Sequence, residues 1–132
     1  MLRLDAGTVR LFLHVLGAAV WVGGQITLAV LVPALRAAGT TVPAAAARAF
    51  NRVAWPAFGL LVVTGIWNVL AEGERGGAYQ RTLAVKLVLV AVSGLTAWLH
   101  ARARTKRGLA VFGALTGLSA IGALFVGVWL AG

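Results

Sequence analysis

The chain has 132 residues, a length that suits one domain, but 61% are hydrophobic and only 11% charged, which excludes an ordinary soluble fold. The net charge of +9 does not form a nucleic-acid patch, because the basic residues sit in short clusters between apolar runs; they read as topology signals and lipid-headgroup contacts. Cysteine is absent, which excludes disulfides and thiolate metal sites, and the only methionine is Met1.

Met1 to Arg10 reads as a short amphipathic lead-in, with Asp5 placed to cap a helix start and Arg3 and Arg10 suited to an interface. The first span covers 11–35, LFLHVLGAAVWVGGQITLAVLVPAL, with no charged side chain in 25 residues. That exceeds the roughly 20 residues needed to cross a hydrocarbon core. It is also longer than the apolar region of a signal peptide and lacks a small-x-small site, so the segment is expected to be retained. At 100° per residue His14, Ala18, Trp21 and Gln25 share one face, which is polar where the rest of the helix is not.

Arg36 to Thr41 reads as a loop, after which Thr41 can cap a second helix with Pro43 in its first turn. Arg48 and Arg52 lie four apart, Phe50 and Trp55 can anchor at headgroup level, and 53–70 then crosses, with Pro56 expected to kink it. Ala71 to Arg81 reads as a turn, with three glycines and both glutamates of the chain. The third span, 82–99, contains Lys86, the only charged side chain inside an apolar run. Ala101 to Arg107 is a basic loop. The fourth span, 109–130, offers Gly113, Gly117, Ser119, Ala120, Ala123 and Gly127 for close packing and Trp129 as an anchor.

The expected fold is therefore all-α, a single-domain, integral membrane four-helix up-and-down bundle, with no evident sequence repeat between its halves. Loops one and three carry seven basic residues (Arg36, Arg48, Arg52, Arg102, Arg104, Lys106, Arg107) against four (Arg3, Arg10, Arg75, Arg81) on the other side. The positive-inside rule then places both termini outside.

In that topology His14 and Lys86 each lie about one turn, roughly 6 Å, below the outer ends of their spans, at a common depth. Asn68 sits two residues from the outer end of the second span and Thr64 one turn below it. Lys86, Ser93, Ala97 and His100 share a face of the third. His14, Lys86, Trp21 and Asn68 are the candidate cofactor-binding residues, and His14 and His100 the candidate metal ligands. The two histidines differ in depth by roughly 21 Å, too far to hold one ion within one subunit. Plainer roles stand beside these: His14 hydrogen-bonding at an interface, Lys86 snorkelling, Trp21 filling a core, Gln25 bridging helices, and His100 solvated beside a basic loop.

The pattern HVLGAAVWVGG around His14, the stretch AFNRVAWPAFGLLVVTGIWN from Ala49 to Asn68, and LAVKLVLV around Lys86 resemble the copper-resistance D (CopD) family. The resemblance covers spans one to three and implies copper uptake or resistance at the cytoplasmic membrane. The HemJ-type protoporphyrinogen oxidases are more distantly similar, with a histidine on the first span and a lysine on the third. Their haem b ligands would map onto His14 and Lys86, although Gly23, Gly24 and Gln25 depart from the oxidase pattern.

Copper handling leads on motif likeness. A haem b-binding redox protein follows, and a cofactor-free structural or oligomerising bundle is third. Enzymatic turnover has little support, since no acid/base pair or nucleophile arrangement appears beyond His14 and Lys86. The expected partners are the lipid bilayer and a second copy of the chain, with no nucleic acid.

Overall fold

A computed structural model describes residues 3–132, and among them all regular secondary structure is helical. Four helices are long and apolar enough to cross a membrane: α1 (Ala6–Ala38), α2 (Val42–Glu72), α3 (Gly77–Arg102) and α4 (Lys106–Ala131). Even the shorter pair, at 26 residues, reach about 39 Å, beyond a hydrocarbon core of about 30 Å. The chain divides into two compact units, one ending at Gly73 and one spanning Glu74–Gly132. Each is a helical hairpin.

Burial runs opposite to that of a soluble protein. The shielded positions hold small or hydroxylated residues such as Ala54, Thr64, Ser93, Thr116 and Ala120, while Val30, Leu70, Leu118 and Phe125 stand exposed. Large apolar side chains turned outward in this number need an apolar surrounding. The protein is a multi-pass membrane protein whose helices contact lipid.

Helix ends lie beyond the apolar runs that the hydropathy pattern marks. The connections are only 39–41, 73–76 and 103–105, shorter than the expected loops. Arg36, Gln80, Arg81, Arg102 and Arg107 continue the helices instead of ending them, as their good intrinsic propensity allows. At the start of α1 Asp5 caps as expected: its carboxylate accepts from Thr8 N at 2.7 Å and from Thr8 Oγ1 at 2.9 Å. Thr41 precedes α2, but its side chain makes no capping bond; Pro43 in the first turn supports that start instead. Gly73 ends α2 at φ 68°, a left-handed conformation that favours glycine. Thr105 caps α4 by accepting from Gly108 N at 3.0 Å.

In the first hairpin α1 and α2 run antiparallel, with His14 beside Thr64, Gly17 beside Ala57 and Leu61, and Gly24 beside Phe50. A methyl group at Gly17 would stand 3.0 Å from the Ala57 carbonyl oxygen and from Leu61 Cγ, so the close approach depends on glycine. Phe50 occupies the space that a side chain at position 24 would need. Trp21, 4% exposed, stacks at 4.5 Å from Phe58 and 5.5 Å from Trp55. Phe50 and Trp55, expected as headgroup anchors, thus spend their rings on α1.

Around Trp21 the α1 backbone widens into one π-helical turn, Ala19–Gly23. Such a turn admits an extra residue, so the 100° spacing does not carry across it. The single face expected for His14, Ala18, Trp21 and Gln25 is therefore two short faces joined by the π turn. All four positions are nevertheless at least partly buried.

The second hairpin pairs α3 with α4 through hydroxyls. Ser93 Oγ donates to Thr116 O at 3.1 Å, Thr116 Oγ1 lies 2.9 Å from Thr96 Oγ1, and Ser119 Oγ donates to its own helix at Leu115 O. Thr96 Oγ1 donates back to Val92 O at 2.7 Å. Small residues on both helices, including Gly94 and Ala120, let the backbones approach. At the end of α3 the Arg102 guanidinium lies 3.9 Å over the Trp98 ring.

Candidate functional site

His14 sits on α1 two turns inside its start, half-buried, with Nδ1 2.8 Å from Thr64 Oγ1. Thr64 is 2% exposed and lies 2.6 Å from the carbonyl oxygen of Leu60, with Leu61 O farther off at 3.3 Å. A carbonyl only accepts, so the single hydroxyl proton of Thr64 goes to Leu60 and the hydroxyl oxygen accepts from His14. The imidazole therefore carries its proton on Nδ1 and its lone pair on Nε2. A second hydrogen-bonded group that fixes the tautomer in this way is what orients a ligating histidine. Gly65 packs near the ring; a methyl there would stand 3.5 Å from His14 Cε1, an ordinary van der Waals contact.

Trp21 is buried in the aromatic cluster deeper in the same hairpin. Asn68 is half-buried on α2, one turn beyond Thr64. Gln25 lies past the π turn with its side-chain nitrogen shielded and without a hydrogen-bond partner. Arg10, one turn before His14, has its Nε shielded in the same unpartnered state.

Lys86 belongs to the second hairpin. Its side chain lies along α4 at Gly127, where a methyl group would stand 3.1 Å from Nζ and 3.2 Å from Cε. Gly127 thus keeps the backbone of α4 open to the lysine. His100 repeats the His14 arrangement near the basic connection: Nδ1 donates to Leu109 O at 2.8 Å, and Gly113 provides the space for the ring. Both imidazoles are therefore held through Nδ1. No group of three or more His, Cys, Asp or Glu side chains suited to one metal ion occurs among the described residues.

Thr64 was visible in the sequence as a polar residue at the right depth. Gly113 and Gly127 were not visible as seats for His100 and Lys86, because glycine is common along all four helices. Arg10 read as an interface residue, and only its shielded Nε separates it from the other arginines.

No family model, curated protein or solved structure matches the chain.

Proposed function

We propose that this membrane protein binds haem b, with His14 Nε2 as an axial ligand, and serves in electron transfer or haem handling at the cytoplasmic membrane with both termini outside. The observation that supports this reading is the His14–Thr64–Leu60 relay, which holds the ring through Nδ1 and fixes its orientation. The donor inventory agrees with it. Haem brings its own equatorial nitrogens and asks the protein for one or two axial ligands and an apolar enclosure, whereas a bare copper ion asks for several soft or imidazole donors. This chain has two histidines and no cysteine.

Bound haem would supply one-electron redox chemistry at its iron. The protein's own contribution is to orient His14 through Thr64 and to exclude water with the Trp21, Trp55 and Phe58 rings.

The copper reading, which the CopD-like motifs favour, draws on a different observation: His100 is held by Leu109 as His14 is by Thr64, and imidazole suits copper. Absorption spectra and metal analysis of the full chain purified in mild detergent separate the two. A Soret band that is present in wild type and lost in His14→Ala supports haem with His14 as a ligand. Bound copper without a Soret band supports the copper reading, and a band indifferent to His14→Ala overturns the site. Far-UV circular dichroism of each variant shows that the helices persist.

A further inference from the structure

The three connections between the helices differ in charge. Around 73–76 Glu72 and Glu74 stand among Arg75 and Arg81, so both signs are present. The connection 39–41 carries no charge, and Arg36, Arg48 and Arg52 are spread over the helices on either side of it. Around 103–105, by contrast, Arg102, Arg104, Lys106 and Arg107 fall within six residues, all exposed and with no acid among them. The one acid of this hairpin, Glu74, precedes the far end of α3. The 26 residues of α3 put about 39 Å between them, and at physiological salt a charge is screened within about 8 Å. The hairpin therefore supplies no counter-charge to its own basic end.

The backbone beneath these cations is held in place. His100 Nδ1, near the end of α3, donates to Leu109 O in the first turn of α4 at 2.8 Å, Thr105 accepts from Gly108 N at 3.0 Å, and Ala103 N donates to His100 O at 3.2 Å. Arg102 is also positioned. Its guanidinium lies 3.9 Å over the ring of Trp98, one turn back toward the apolar run. Trp98 is 45% exposed, as suits an indole at headgroup level. A guanidinium stacked on a ring face keeps its N–H donors at the open edge, and the Arg102 fork makes no ion pair among the described residues.

We propose that, independently of any ligand at His14, the α3–α4 connection binds the headgroup of an anionic phospholipid. The Arg102 fork takes the phosphate, and Arg104, Lys106 and Arg107 supply the surrounding positive field. A guanidinium matches two phosphate oxygens at once. The occupant is a lipid and not a soluble anion because Trp98 holds the fork on the side of the apolar run, at the depth of a bilayer's headgroups. The same field disfavours a zwitterionic lipid, whose own cation would stand among the other three.

The test titrates the purified full chain in mild detergent with phosphatidylglycerol, with phosphatidylcholine of the same acyl chains, and with inorganic phosphate, and reads bound lipid by native mass spectrometry. Wild type is expected to bind phosphatidylglycerol at least about tenfold more tightly than phosphatidylcholine, since each nearby cation contributes about fivefold. Arg102→Gln should lower phosphatidylglycerol affinity about fivefold, and Arg102→Lys, which keeps the charge without the fork, should fall between it and wild type. Trp98→Leu leaves every charge in place and should still weaken binding. Arg48→Gln removes the same net charge from the first hairpin and should leave the affinity nearly unchanged. Equal binding of the two lipids by wild type overturns the proposal without recourse to any variant. An equal loss in Arg48→Gln and Arg102→Gln overturns it as well, by showing diffuse attraction to the whole charge. Displacement of phosphatidylglycerol by an equal concentration of inorganic phosphate overturns the lipid as occupant.

Discussion

In the first hairpin the helices meet through rings and bare backbone: Trp21 among Phe58 and Trp55, and Gly17 against the Ala57 carbonyl. In the second they meet through Ser93, Thr96, Thr116 and Ser119, all buried and all hydrogen-bonded. Each hairpin also holds one histidine by Nδ1, His14 on a hydroxyl and His100 on a carbonyl. In lipid, apolar burial contributes little to helix association, so packing and interhelical hydrogen bonds must supply it. The two hairpins divide those means between them. The ring cluster sits at the π turn of α1, whereas the hydroxyls fit inside undistorted helices by bonding to their own carbonyls.

The largest expected effect follows from the bulk. Trp21→Ala leaves a cavity between α1 and α2 and should destabilise the first hairpin by about 3 kcal/mol, the lower end for a buried tryptophan. Thermal unfolding in detergent, followed by circular dichroism, measures it. A loss below that of a single hydroxyl deletion in the second hairpin would erase the distinction. Trp21 lies within the π turn, so amide exchange at 19–23 should change more than elsewhere in α1.

A smaller effect is expected of the hydroxyls. Thr116→Val and Thr96→Val should each cost roughly 0.6 kcal/mol, in the range of polar contacts between membrane helices, and the double variant should cost less than their sum because they share one bond. Each threonine retains a carbonyl of its own helix as an alternative acceptor, Val92 for Thr96 and Phe112 for Thr116. That alternative is why the expected loss is small. Strict additivity in the cycle would mean that the 2.9 Å contact contributes nothing between the helices.

These contrasts also mark what the residues alone disclose. Four uninterrupted apolar runs suffice to identify four membrane-length helices, because lipid thickness sets their minimum length. They do not locate the helix ends. Hydropathy falls at Arg36 or Gln80, yet these residues form helix readily, and the helices continue to Ala38 and begin at Gly77. His14 stands out as a lone imidazole on an apolar helix, but its tautomer depends on Thr64, fifty positions away, and only the hairpin register joins them. The π turn is less legible still. AVWVG has no helix-breaking residue other than its final glycine, and nothing in its residue pattern marks the π turn.

The smallest effect concerns the start of α1, where the first hairpin has a charged cap and the second has only Thr105. The backbone N–H of Thr8, and then its hydroxyl, hold the Asp5 carboxyl below its ordinary value of 3.8. A folded-state pKa depressed in this way contributes stability that is fully present above the unfolded value and is lost as pH falls through the folded one. The helix start should therefore fray below about pH 3.8, while the α4 start, capped by a neutral hydroxyl, should not respond. Because Asp5 is fully exposed, global unfolding moves little, and the change appears as faster amide exchange at Thr8. Asp5→Asn keeps an acceptor on the cap but removes the titration, so exchange at Thr8 should lose its acid step. An acid step of equal size at Gly108 would show that the cap charge does not distinguish the two hairpins.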